Sequence, residues 1–116
     1  MQSHGKKEMF NMLKKKLKKI DSKVSRPSED SHWKIGANYF IRTVTFHYTM
    51  ELVKITKQEL IGKDAAWIAD DGRFSQAVAT GNFNEIEPFP DGEVIIGRGA
   101  ILDAHVVSYK VPRDQK

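Results

Sequence analysis

The spacing of apolar positions changes most sharply near residue 32, and the change separates a helical arm from a β-rich body. In the arm, Phe10, Leu13, Leu17, Ile20 and Val24 recur at intervals of three, four, three and four, the seam of an amphipathic helix. So short a helix is marginal alone in water, so the stripe of Phe10, Leu13, Leu17 and Ile20 needs a surface to cover it. Ser25 to Ser31 reads as a polar linker in which Pro27 stops the helix.

From Trp33 onward the residues are aromatic and β-branched, and the expected elements become strands. Tyr39 to Tyr48 predicts one strand with apolar groups on both faces, and Thr49-Met50 a turn into a second strand, Glu51 to Thr56. Lys57-Gln58 leads to a third, Glu59 to Ile61 and Ala65 to Ile68, with a bulge at Gly62. Asp70 or Asp71 is positioned to cap a short helix over about 72–80, with Phe74, Ala77 and Val78 inward and Gly81 as its stop. A short extended piece around Ile86 ends at Pro88 and Pro90, and Phe89-Pro90-Asp91-Gly92 is a strong turn signal. Two strands then flank Gly97-Arg98-Gly99, where glycines on either side of a cation predict a sharp bend. The pattern predicts a mainly β (α+β) fold. Residues 32–116 are expected to form a small SH3-like or Sm-like five-stranded antiparallel barrel with a short inserted helix, behind a basic helical arm and linker over 1–31.

Charge sharpens the division. The chain has 116 residues and a net charge of +4, but residues 1–31 hold nine Lys and Arg against four acids, while the rest holds ten against eleven. Lys14, Lys15, Lys16, Lys18 and Lys19 repel one another unless an anion relieves them. Three readings stand: a solvated face over a packed seam, a contact for nucleic-acid phosphates, or attachment to an anionic protein or membrane surface. With no cysteine, disulfides and thiolate zinc sites are excluded. Apolar runs are too short for a membrane span or a secretion signal, so a soluble, intracellular protein is expected.

No reaction is announced. His4, His32, His47 and His105 lack metal-ligand spacing, so no metal or cofactor is expected. Asp70 and Asp71 beside Arg73 read as a helix cap with a local ion pair, and Ser75 and Ser108 lack a nucleophile-elbow context. The chain is therefore expected not to be an enzyme and to have no small-molecule substrate. Trp33, Trp67, Phe40 and Phe46 could form a stacking platform, but in so small a core burial is the default for most of them. Trp33, at the linker boundary, is the one expected to be exposed or to clamp the arm.

Two resemblances follow from particular segments. Tyr39 to Thr45, Ala65 to Phe74, and Glu87 to Gly92 through Gly97 to Ala104 resemble small uncharacterised proteins of bacteriophages and prophages. That implies a viral source without implying an activity. Ile96-Gly97-Arg98-Gly99-Ala100-Ile101 is similar to the closing signature of Sm-like barrels, with Gly97 inserted, although the glycines and the Asp-x-x-x-Asn of the first Sm motif are missing. The Sm resemblance implies that Arg98 lines a ring lumen against nucleic acid; the alternative is that Arg98 pairs with Asp103, Glu93 or a neighbour and pins the corner.

The resulting expectation is a non-enzymatic phage-type structural or binding protein of host cytoplasm or virion. It would act as a homo-oligomer or dock on a viral assembly protein through Lys14, Lys15, Lys16, Lys18 and Lys19, with Phe10, Leu13, Leu17, Ile20 and Trp33 at the interface. The alternatives are an Sm-like nucleic-acid-binding module using Arg98 and the lysine arm, and an inhibitor of a host defence protein.

Overall fold

The computed structural model describes residues 32–116; the expected helix of the arm, with its lysines and apolar seam, lies outside the described residues. Among the described residues, six strands, one α-helix and one 3-10 turn follow in order: β1 (Asn38–Thr43), β2 (His47–Ile55), β3 (Glu59–Asp70), α1 (Phe74–Thr80), β4 (Glu85–Pro88), β5 (Glu93–Gly97), the turn Arg98–Ala100, and β6 (Ile101–Val107).

The first correction concerns the β1–β2 turn, which falls at residues 44–46 rather than at Thr49-Met50. The Thr43 hydroxyl donates to the Phe46 carbonyl at 2.6 Å and accepts from the Phe46 amide at 3.0 Å, closing the turn with a side chain. Thr49 and Met50 are fully buried in mid-strand. The β2–β3 turn repeats the device, with the Thr56 hydroxyl accepting from the Glu59 amide at 3.0 Å.

All pairings are antiparallel, in the order β4-β3-β2-β1-β6, with β5 beside β3. The expected five-stranded barrel is thus a single six-stranded sheet that does not close, because its end strands β4 and β6 do not pair with each other. Two local features account for this. Asp64, at φ 52°, breaks the β2–β3 register and bends β3, so that β3 pairs with β5 through Glu59–Lys63 and with β4 through Ala66–Asp70. The outer edge of β4 is met instead by Lys116, whose amide and carbonyl exchange 3.0 Å hydrogen bonds with those of Ile86.

One face of the sheet packs under α1. Its buried cluster is Phe40, Ala66, Ile68, Ala77, Phe83, Ile86 and Val107, with Val78 and Tyr109 against it. Gly81 ends α1 at φ 73°, as expected; a Cβ there would come within 2.6 Å of the Tyr109 ring. The start of α1 departs from expectation. Arg73 occupies the N-cap with no side-chain bond, Asp70 accepts from the Gly72 amide at 2.9 Å, and Phe74 is half exposed rather than inward.

Candidate binding groove

Cross-strand register places Tyr48 of β2 opposite Trp67 of β3, and Trp67 opposite Glu87 of β4, so the three side chains share one face of the sheet. Phe46 lies two residues before Tyr48 and Phe89 two after Glu87, and both extend the same row. The Phe46 and Trp67 rings meet edge to face with centroids 5.3 Å apart, and Tyr48 and Phe89 lie near parallel at 6.2 Å. Together with Pro88 and Pro90 they line an open groove of about 340 Å³ in which Glu87 is, among the described residues, the one charged wall residue.

The walls are held from behind. The Arg113 guanidinium donates to the Ala65 carbonyl at 2.8 Å and to the Phe89 carbonyl at 2.9 Å, while the Phe89 amide donates to the same Ala65 carbonyl at 2.9 Å. Arg113 therefore locks the segment after β4 against β3, and Gln115 donates to the Glu87 carboxylate at 3.1 Å. Phe46 keeps 47% of its surface exposed and Trp67 36%, which corrects the expectation that aromatic residues here are consumed by the core. Phe40 does behave as a core residue, at 1% exposure. What the sequence lacked was the register. Phe46 and Phe40 look alike in a β-rich run until the 44–46 turn is located, and that turn puts them on opposite faces.

The opposite face carries a row of charges. Arg42 faces His47 across β1–β2 and Asp103 across β1–β6. Its guanidinium grips the Asp103 carboxylate at two points, through Nε at 2.7 Å and through Nη2, and lies 4.7 Å above the Phe74 ring. Those hydrogen bonds hold the Asp103 carboxyl below its ordinary range and raise the Arg42 guanidinium. His47 Nδ1 meets Asp71 Oδ2 at 2.7 Å, which ties β2 to the segment before α1; Asp71 Oδ1 is buried without a partner. Among the described residues no group of three or more His, Asp or Glu is arranged to hold a metal ion.

Arg98 sits part-buried at the start of the 3-10 turn. Its amide donates to the Gln58 carbonyl at 2.8 Å and its Nη1 to the Thr56 carbonyl at 2.7 Å, so it fastens this corner to the β2–β3 turn. Neither Asp103 nor Glu93 is its partner. The flanking glycines do not serve the bend as expected: Gly97 has φ −66°, neither Gly97 nor Gly99 has positive φ, and a Cβ at either would meet nothing within 4 Å. Trp33 is partly buried, at the boundary where the chain divides into the units Met1–Trp33 and Lys34–Lys116. Lys14, Lys15, Lys16, Lys18, Lys19, Phe10, Leu13, Leu17 and Ile20 lie outside the described residues. No described helix is long and apolar enough to cross a membrane.

No protein-family model matches the chain, and no curated protein or solved structure matches it either.

Proposed function

We propose that this is a non-enzymatic binding protein whose sheet receives an extended, proline-containing segment of another protein in the groove formed by Phe46, Tyr48, Trp67 and Phe89. The observation that carries this reading is four aromatic side chains from two neighbouring strands and the segments beside them, set side by side with the Phe89 segment braced by Arg113 and Phe46 and Trp67 left in solvent. Exposed apolar patches with a few placed polar groups are where soluble proteins hold partners. The Trp67 indole N–H and the Tyr48 hydroxyl are donors, and an extended proline-rich chain offers free carbonyls and few N–H groups, which is the complementary set. Glu87 adds a site for a basic residue beside the prolines.

The Lys14 to Lys19 run supports a second contact, to an anionic surface, and the resemblance to phage proteins supports a viral assembly as the setting. Trp67 and Phe89 both fall in segments that carry that resemblance. A second reading, single-stranded nucleic acid stacked on the same rings, draws on the lysine run and Arg98. Glu87 in the wall favours the peptide, since a carboxylate repels phosphate.

The test is a fluorescence titration of the full chain with a short proline-rich peptide carrying one arginine, and separately with oligo(dT) at two salt concentrations. Saturable peptide binding that Trp67→Ala weakens about 30-fold, roughly 2 kcal/mol for a central aromatic, is the expected result. Peptide binding that Trp67→Ala leaves unchanged, or salt-sensitive oligo(dT) binding alone, would overturn it.

A further inference from the structure

Acids of the body differ in what holds them. Asp103 is gripped by Arg42, Asp71 meets His47, and Glu51 lies 3.3 Å from the Lys63 ammonium. Each therefore faces a group that carries positive charge or can take it up. Glu87 does not. Its carboxylate accepts a hydrogen bond from the Gln115 side-chain amide at 3.1 Å, and among the described residues it forms no ion pair. A neutral donor of this kind fixes a carboxylate in place without cancelling its charge.

Where that charge sits decides which cation can use it. Glu87 pairs with Trp67 in the β3–β4 register, so carboxylate and indole stand side by side on the groove face. Glu87 is exposed and Trp67 keeps 36% of its surface in solvent, so a ligand can reach both. A lysine ammonium is a compact, strongly hydrated charge, and in so open a site it gains little from the carboxylate. An arginine guanidinium is planar and more weakly hydrated. Its face can lie on the indole while its edge donates to the carboxylate beside it, so it makes both contacts at once. The Gln115 bond falls on Oε1 of Glu87 and leaves Oε2 for that ligand.

Given the peptide groove proposed above, on which this rests, we infer that Glu87 and Trp67 form an arginine-selective subsite, with Gln115 as the positioning residue that keeps the carboxylate beside the indole. The bound segment then carries arginine, not lysine, next to its prolines. Gln115 adds no charge of its own, so it acts on the choice between the two. Without it an exposed glutamate is free to turn into water, which takes from arginine its second contact and from lysine little.

The experiment titrates the full chain, by fluorescence, with two proline-rich peptides that differ only in carrying arginine or lysine at one position. Glu87→Gln and Gln115→Ala are titrated beside the wild type, their folding checked by circular dichroism and melting. The wild type is expected to bind the arginine peptide about five-fold more tightly, the size of one exposed cation–π contact. Glu87→Gln should bring the two peptides within about two-fold of each other. Gln115→Ala should weaken the arginine peptide and leave the lysine peptide as it was. General damage to the groove would weaken both alike, so this pattern separates positioning from packing. Equal binding of the two peptides by the wild type, a preference that survives Glu87→Gln, or equal weakening of both by Gln115→Ala sinks the inference, while the groove itself still stands on its dependence on Trp67. If neither peptide binds, the groove fails and the subsite fails with it.

Discussion

Replacing Thr43 by valine removes one oxygen from the turn that aims Phe46 into the groove. Thr43 is 5% exposed, and its hydroxyl makes two well-formed bonds to the Phe46 backbone, at 2.6 and 3.0 Å, and a long one to the Thr45 amide at 3.4 Å. At about 1 kcal/mol net for each good bond, Thr43→Val should lose roughly 2 kcal/mol, the backbone bond from the Thr43 amide to the Phe46 carbonyl remaining. Thr43→Ser keeps the oxygen and gives up one methyl, at most about 0.8 kcal/mol. For a body of this size those losses correspond to melting shifts of roughly 8–16 °C for valine and under about 6 °C for serine. The local consequence is read at the groove: a loosened Phe46 no longer holds its edge contact with Trp67, so tryptophan emission should change in Thr43→Val and not in Thr43→Ser. If valine proves as stable as serine, the hydroxyl does not build the turn and the account of how Phe46 reaches the groove is wrong.

Two further outcomes test the packing beneath α1. Gly81→Ala should cost about 2 kcal/mol or more in urea unfolding, since an alanine at φ 73° is strained by roughly 1–2 kcal/mol and its Cβ also drives into the Tyr109 ring; a loss under about 0.5 kcal/mol would contradict that geometry. Burial pushes the Tyr109 hydroxyl up to about 12 from its ordinary 10, while it donates to the Ala77 carbonyl at 2.8 Å. The unfolded chain therefore loses this proton first as pH rises, so the stabilisation is whole below pH 10 and disappears between 10 and about 12. Urea unfolding across that window should fall less steeply in Tyr109→Phe than in wild type, and equal slopes would refute the assignment.

Much of the body was legible from residue patterns because the signals were local. Gly81 as a helix stop, Pro88 as the end of a strand, and the Phe89 to Gly92 turn each depend on the backbone preference of one or two residues, and the structure places them as expected. The errors came where a side chain's partner is distant in sequence. Thr43 and Thr49 both sit in β-branched surroundings, and only the bond to Phe46 distinguishes the turn from the strand interior. Asp71 resembled a helix cap and bonds His47 instead; Asp103, weighed as a partner for Arg98, is held by Arg42 across the sheet. The groove is only half legible in the sequence: Phe46 and Trp67 stand with Trp33 and Phe40 among the candidates for a stacking platform, but their exposure depends on the register of three strands, which no short window of sequence encodes.

The bend at Asp64 makes β3 a single beam under two loads. Its first half carries β5 and so the Arg98 corner; its second half carries β4 and so the Phe89 wall. Neither half can peel away without disturbing the backbone they share, so the amides of β3 should be among the slowest in the body to exchange with deuterium.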